Sequence, residues 1–214
     1  MIIEFISMML LGIFSGTIAI KLIQFFSEEK AQPISVVVLS TLLVVLGYYK
    51  YGITLIGLYH LVFWMGLLVV GWVDYLTLSI VDFTVYALGL WAFLFRLFLI
   101  GNSVEGLIGG LVGFGLFLGI YLGAKWVYKK EAFGFGDVLL MGSVGIYLGF
   151  KLTLLASFLS FYVALVGIGI QKTLGKKIGL KQEVAFGPAI CMAVILSVMY
   201  GETWLNWYVK TFLF

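Results

Sequence analysis

Long apolar runs alternate with short polar breaks along the whole chain. The runs fall near 2–26, 34–49, 54–73, 83–100, 106–124, 138–150, 152–170 and 184–200, and the breaks at 27–33, 48–53, 74–82, 101–105, 125–137, 151 and 171–183. Most runs approach the roughly 17 to 25 residues that a helix needs to cross a bilayer. None shows the alternation of apolar and polar positions expected of a barrel strand. Because hydrocarbon offers no partner to a backbone N–H or C=O, such runs must close their hydrogen bonds internally, as helices. The pattern predicts an all-α fold, a polytopic transmembrane helical bundle of about eight spans. The run 138–150 is short for a crossing, and Lys151 is the weakest of the breaks.

Composition agrees. Of 214 residues 63% are hydrophobic and 11% charged, with a mean hydropathy of +1.17, whereas a soluble domain is about a quarter charged. No soluble domain or low-complexity linker interrupts the runs, so residues 1–214 are expected to form one membrane domain, with the lipid bilayer as its surroundings. The net charge of +3 comes from basic residues in the connections, where topology accounts for them, so no nucleic-acid partner is expected. The single cysteine, Cys191, lies in an apolar run. It permits neither an intrachain disulfide nor a cysteine metal cluster and reads as a packing residue. The first run carries Glu4 where a secretory signal would be basic, and it exceeds about 15 residues; it is expected to be a retained span.

Alternate connections differ in charge. Odd-numbered ones hold Lys30, then Lys125, Lys129 and Lys130, then Lys172, Lys176, Lys177 and Lys181, while even ones hold Lys50 and Lys151, with Lys210 in the tail on their side. By the positive-inside rule the odd connections face the cytoplasm and the N-terminus lies outside. Lys21 fits by snorkelling towards the cytoplasmic end of its span. Glycine recurs at Gly106, Gly109, Gly110, Gly113, Gly115, Gly119 and Gly123, and at Gly142, Gly145 and Gly149. Small residues let helices approach closely in lipid, so 106–124 is expected to be a packed central helix with the second series as another contact face. The tail 202–214, with Trp204, Trp207, Tyr208 and Lys210, resembles an interfacial anchor.

Two acids at span ends stand out, both on the predicted cytoplasmic side. Asp74 follows the run Leu67-Leu68-Val69-Val70-Gly71-Trp72-Val73, and Asp137 opens another within Gly134-Phe135-Gly136-Asp137-Val138. Ionisable residues at such depth are functional candidates by default. Asp137 also has a structural reading, as does Asp82, because an Asp before a helix often caps it. Asp74 ends a helix, where the macrodipole disfavours negative charge, and has no obvious structural use. If the two acids met they would share one proton, Asp137 the more often ionised by the dipole argument. Such a pair activates water with one carboxyl and protonates a carbonyl with the other, as aspartic proteases do. Gly134 and Gly136 would allow positive φ and close approach of a substrate.

These residues resemble a known family, the type IV prepilin peptidases, a branch of the Gly-x-Gly-Asp membrane aspartyl proteases. Gly134-Phe135-Gly136-Asp137-Val138-Leu139-Leu140, followed by Gly142 and Gly149, is similar to the family's second acid motif, and Asp74 with Ile80-Val81-Asp82 to its first. Ala185-Phe186-Gly187-Pro188 is similar to the family's Phe-Gly-Pro element; chemistry alone reads Pro188 as a helix start. The resemblance implies a cytoplasmic-face endopeptidase of the plasma membrane. It would remove the basic leader of type IV prepilins or pseudopilins, cutting after a glycine that precedes the hydrophobic helix, with Asp74 and Asp137 as the catalytic pair and Gly134, Gly136, Asp82, Gly187 and Pro188 in support.

Some positions depart from the family pattern. Longer members carry paired Cys-x-x-Cys motifs between the first two spans, whereas this connection is 27–33, so zinc is not expected. No cofactor is expected either, with S-adenosylmethionine implied only if the methyltransferase activity of those members is retained. Val81 stands where the family has proline. The alternatives are another Gly-x-Gly-Asp protease acting on preflagellin-like substrates and a small proton-coupled transporter, which would be expected to show paired broken helices. His60, the sole histidine, is too isolated for a metal site. Arg96, deep in a span, needs a partner such as Glu105 or an acid of another helix, and Ser143 and Ser157 have no base in view.

Overall fold

The computed structural model describes residues 2–29, 31–128, 134–175 and 184–212. Eight α-helices account for most of them: α1 (Ile2–Ser27), α2 (Pro33–Tyr51), α3 (Leu55–Thr77), α4 (Asp82–Phe95), α5 (Ser103–Tyr128), α6 (Phe135–Leu148), α7 (Phe150–Thr173) and α8 (Gly187–Phe212). A π-helical turn, Arg96–Ile100, continues α4. Seven helices are long and apolar enough to cross a membrane, counting α4 together with its π turn. Helix α6 has 14 residues, roughly 21 Å at 1.5 Å per residue. The all-α polytopic bundle is therefore as the apolar runs require.

The weakest predicted break is displaced. The chain reverses at Gly149 (φ 77°, ψ 174°), and Lys151 lies in the first turn of α7. Positive φ costs a residue without Cβ nothing, so the glycine sets the corner where a charge marked it only nearby. Direction follows from contacts. Gly106 faces the Ile146 carbonyl while Tyr121 packs on Phe135, so α5 and α6 are antiparallel. Gly113 meets both Met141 of α6 and Thr153 of α7, which places α7 back alongside α6. Helices α3 and α8 are also antiparallel, with Gly71 against Pro188 and Lys50, at the far end of α2, donating to the Val198 and Met199 carbonyls.

The core is built by α3, α6 and α8. Tyr59, Phe63, Trp64 and Leu67 pack with Val138, Met141 and Val144 and with Ile190 and Val194, joined by Val85 of α4. Helix α5 is not the central one expected. Its Gly106, Gly109, Gly110 and Gly113 lie against α6, but nothing approaches Gly115, Gly119 or Gly123, and Leu111 and Leu122 are exposed. The glycine series therefore divides into a contact face and a lipid face. The tail is continuous with the last helix. Helix α8 runs through Glu202 to Phe212, with Trp204, Trp207 and Tyr208 exposed on its last turns.

The close approach of α5 and α6 predicts unequal responses to a single methyl. Gly145→Ala, whose Cβ would stand 2.8 Å from Gly110 Cα and closer still to the Gly109 carbonyl, should cost about 1–3 kcal/mol by overpacking. Gly119→Ala, with open space, should be neutral or stabilise by up to about 1 kcal/mol. Thermal unfolding of both variants in the same detergent would check this.

Candidate active site

Asp74 lies in the last turn of α3, three residues before its end at Thr77. The helix continues to Thr77, whose hydroxyl donates to the Val73 carbonyl, and closes at Leu78, in the left-handed region (φ 54°), whose N–H donates to the Asp74 carbonyl at 2.8 Å. The Asp74 carboxyl is 5% exposed. Its Oδ2 accepts the Gly187 N–H at 2.8 Å. Gly187 begins α8, with the Phe186 carbonyl accepting the Ala189 and Ile190 N–H groups of the first turn. The carboxylate therefore faces the positive end of a second helix, where free N–H groups and the macrodipole favour an anion. Only glycine fits, since a Cβ at 187 would stand 2.7 Å from Oδ2. Pro188 follows in the first turn, where its missing N–H has no intrahelical partner to lose.

Asp137 is the third residue of α6, and its N–H donates to the Gly134 carbonyl at 3.1 Å. It does not hold the cap position, which Gly134 occupies. Its side chain is 5% exposed, and Oδ1 is buried with no hydrogen-bond partner among the described residues. Such a group is rare, because an unsatisfied buried oxygen costs about 1–3 kcal/mol. The two carboxyls lie within electrostatic reach of each other, and both within reach of the Cys191 thiol. Cys191 donates to the Leu67 carbonyl at 3.2 Å and packs on Gly71, one turn before Asp74.

The glycines act differently from expectation. Gly134 is extended (φ −72°, ψ 150°) and Gly136 is helical; neither has positive φ. Gly136 serves a close contact, since a Cβ there would stand 2.8 Å from Ile80 Cβ. That contact ties the 78–81 connection to the turn before Asp137, a role for Ile80 that sequence reasoning missed. Asp82 is likewise not a cap. It is the exposed first residue of α4, Val81 holds the cap position, and the Thr84 hydroxyl donates to the Val81 carbonyl.

The opposite end of the bundle accommodates the other deep polar residues. Arg96 donates to the Tyr147 carbonyl at the end of α6 and to the Asn102 carbonyl, and it pairs with Glu105 at 3.8 Å. His60 stacks on Tyr51 and hydrogen-bonds the Tyr147 hydroxyl. Among the described residues no three His, Cys, Asp or Glu side chains gather as a metal site would need. Lys129, Lys130 and the segment 176–183, with Lys176, Lys177 and Lys181, lie outside the described residues.

Fold and site define a class: a polytopic helical membrane protein with two buried acids brought together at one end from separate helices. The chain belongs to the type IV leader peptidase family, whose profile matches residues 61–170, both acids included. It is 28% identical over 110 residues to a prepilin leader peptidase/N-methyltransferase of Aeromonas hydrophila, covering 51% of this chain and 37% of that protein. A protein of the same description from Bacillus subtilis is 29% identical over 105 residues, 49% of this chain and 40% of that one. The leader peptidase HopD of Salmonella typhimurium is 30% identical over 93 residues, 44% of this chain and 60% of that one. The chain thus matches well under two thirds of the Aeromonas and Bacillus proteins. No solved structure matches.

The Gly187 contact gives a stability prediction independent of any activity. Gly187→Ala should destabilise by about 1–3 kcal/mol through collision with the Asp74 carboxyl, and by clearly less in an Asp74→Gly background. A double-mutant cycle on thermal unfolding measures the coupling.

Proposed function

We propose that this protein is an aspartyl endopeptidase that removes the leader of type IV prepilin-like precursors, with Asp74 and Asp137 as its catalytic pair. The observation that supports it most is the convergence of two buried carboxyls, 63 residues apart in sequence (137 minus 74), one held by a helix N-terminus and the other with an oxygen left open. A structural role would satisfy both acids. Two carboxyls sharing one proton instead carry out both halves of peptide hydrolysis. The ionised one takes a proton from water as it adds to the scissile carbonyl, and the protonated one gives its proton to the carbonyl oxygen. Collapse of the tetrahedral intermediate then returns a proton to the leaving amine.

The membrane is the plasma membrane, and the acids face the cytoplasm, on the charge bias of the connections. The substrates are prepilins or pseudopilins, as the names of the family and of its relatives support. This chemistry needs neither metal nor cofactor. The N-methyl transfer named for the Aeromonas and Bacillus relatives stays with those proteins.

Asp74→Asn and Asp137→Asn should each insert normally and lower cleavage of a co-expressed prepilin by at least about a thousandfold, in the upper part of the range typical of one general acid or base because the pair acts as a unit. Mass spectrometry of both fragments reads the cut site and any added methyl group, and normal processing by either variant would reject the pair. Cleavage by purified protein should persist in a chelator.

A further inference from the structure

Between α1 and α4, over α3, lies a groove of about 580 Å³. Phe14, Ile18 and Leu22 form one wall and Ala87 and Trp91 the other, with Val69 in its floor. It follows α1 from Leu11 to Phe26, roughly 22 Å at 1.5 Å per residue and so most of a hydrocarbon core of about 30 Å. One end opens at Phe26, Phe83 and Thr84, the end that holds the acids. Phe26 and Val81 pack in one small cluster with Val73, the residue before Asp74, and Ile80, beside Val81, touches Gly136.

Three acids flank the lining residues at that end: Glu28 and Glu29 follow α1, two and three residues beyond Phe26, Asp82 begins α4 beside Phe83, and all three are exposed. The α1 terminus is held in shape, because the Ser27 hydroxyl donates to the Ile23 carbonyl and accepts the Glu29 N–H, while Glu28 sits in the left-handed region at φ 56°. A β-carbon is disfavoured there, so the paired glutamates stand on a strained and specified backbone.

We propose that this groove seats the transmembrane helix of the substrate, with the basic residues that flank its cytoplasmic end against Glu28, Glu29 and Asp82. Length and apolar lining fit one spanning helix packed on α3. The rim fits its flank, since spanning segments carry Lys and Arg on their cytoplasmic side. The rim also discriminates against one other occupant. A second copy of α1 would bring the same glutamates against Glu28 and Glu29. The inference rests on the leader-peptidase reading, which makes a single-span precursor the substrate. It adds where that precursor binds: the helix lies along α1 and α4, and its cytoplasmic end reaches the 78–81 connection beside the acids.

The test uses the full chain in lipid nanodiscs with two substrates, a precursor with basic leader and apolar helix, and a short peptide spanning the same scissile bond without the helix. Ala87→Trp, at an exposed position, fills the groove. It should raise KM for the precursor about tenfold with kcat within about twofold, and leave peptide cleavage unchanged. Leu111→Trp, on the exposed face of α5, should change neither. Glu28→Lys with Glu29→Lys should raise KM for the precursor, and reversing the precursor's flanking lysines to glutamate should restore it. A photo-crosslinker at position 87 in the Asp137→Asn background should capture the precursor, a readout independent of cleavage. An unchanged KM in Ala87→Trp, or crosslinks confined to lipid or to a second copy, would overturn the groove assignment. Failure of the wild-type chain to cleave either substrate would instead reject the leader-peptidase reading.

Discussion

The arrangement depends on how an apolar bundle holds a buried carboxylate. Moving an anion out of water costs several kcal/mol even after relaxation, and α3 alone offers the negative end of its own dipole. Part of that cost is offset by α8, which begins at Gly187 and donates the Gly187 N–H to Asp74. This one interaction fixes several identities together. Position 187 must be glycine because the carboxylate lies against it, the proline after it removes an N–H where none is used, and the small Gly71 and Cys191 let α3 and α8 approach one turn deeper.

Asp137 is supported in a different way. Its height is set by α6, a short rod whose far end is closed by Gly149 and bound at the Tyr147 carbonyl by Arg96. Its lateral position is set by Gly136 against Ile80. The 78–81 connection is thus shared, since it ends the Asp74 helix on one side and packs on the Asp137 turn on the other. The glycines of α5 complete the arrangement by letting α6 lie against that helix at backbone distance. Dispersion and close fit drive such contacts in lipid, where leucine against leucine gains little over leucine against an acyl chain.

Much of this was legible in the residues. Apolar runs separated by charges gave the helices, and two acids at the ends of runs on the same predicted side gave the candidate pair that the fold buries at one end, because both signals arise from the solvation cost that shapes the fold. What was not legible depends on contacts between distant segments. Gly149 displaced Lys151 as the α6–α7 corner because backbone freedom decides a reversal, and Lys151 accommodates itself within the first turn of α7. The α5 glycines read as one stripe, yet only those facing α6 are in contact. Asp82 looked like a cap, but Val81 occupies that position, so the acid is left exposed beside Phe83, which lines the α1–α4 groove.

The dipole argument for the two acids shows why such inferences need the tertiary partner. Taken from each acid's own helix, it puts negative charge on Asp137, at an N-terminus, and denies it to Asp74, near a C-terminus. The fold adds the N-terminus of α8 at Asp74 and leaves Asp137 Oδ1 without a donor among the described residues. The strongest complementary group therefore faces the acid that local sequence marked as least favoured. Two like carboxyls held close cannot both ionise, so they titrate as a pair whatever their surroundings; unequal surroundings decide only which of them keeps the charge. Here the inequality comes from helix α8, 113 residues beyond the acid it serves.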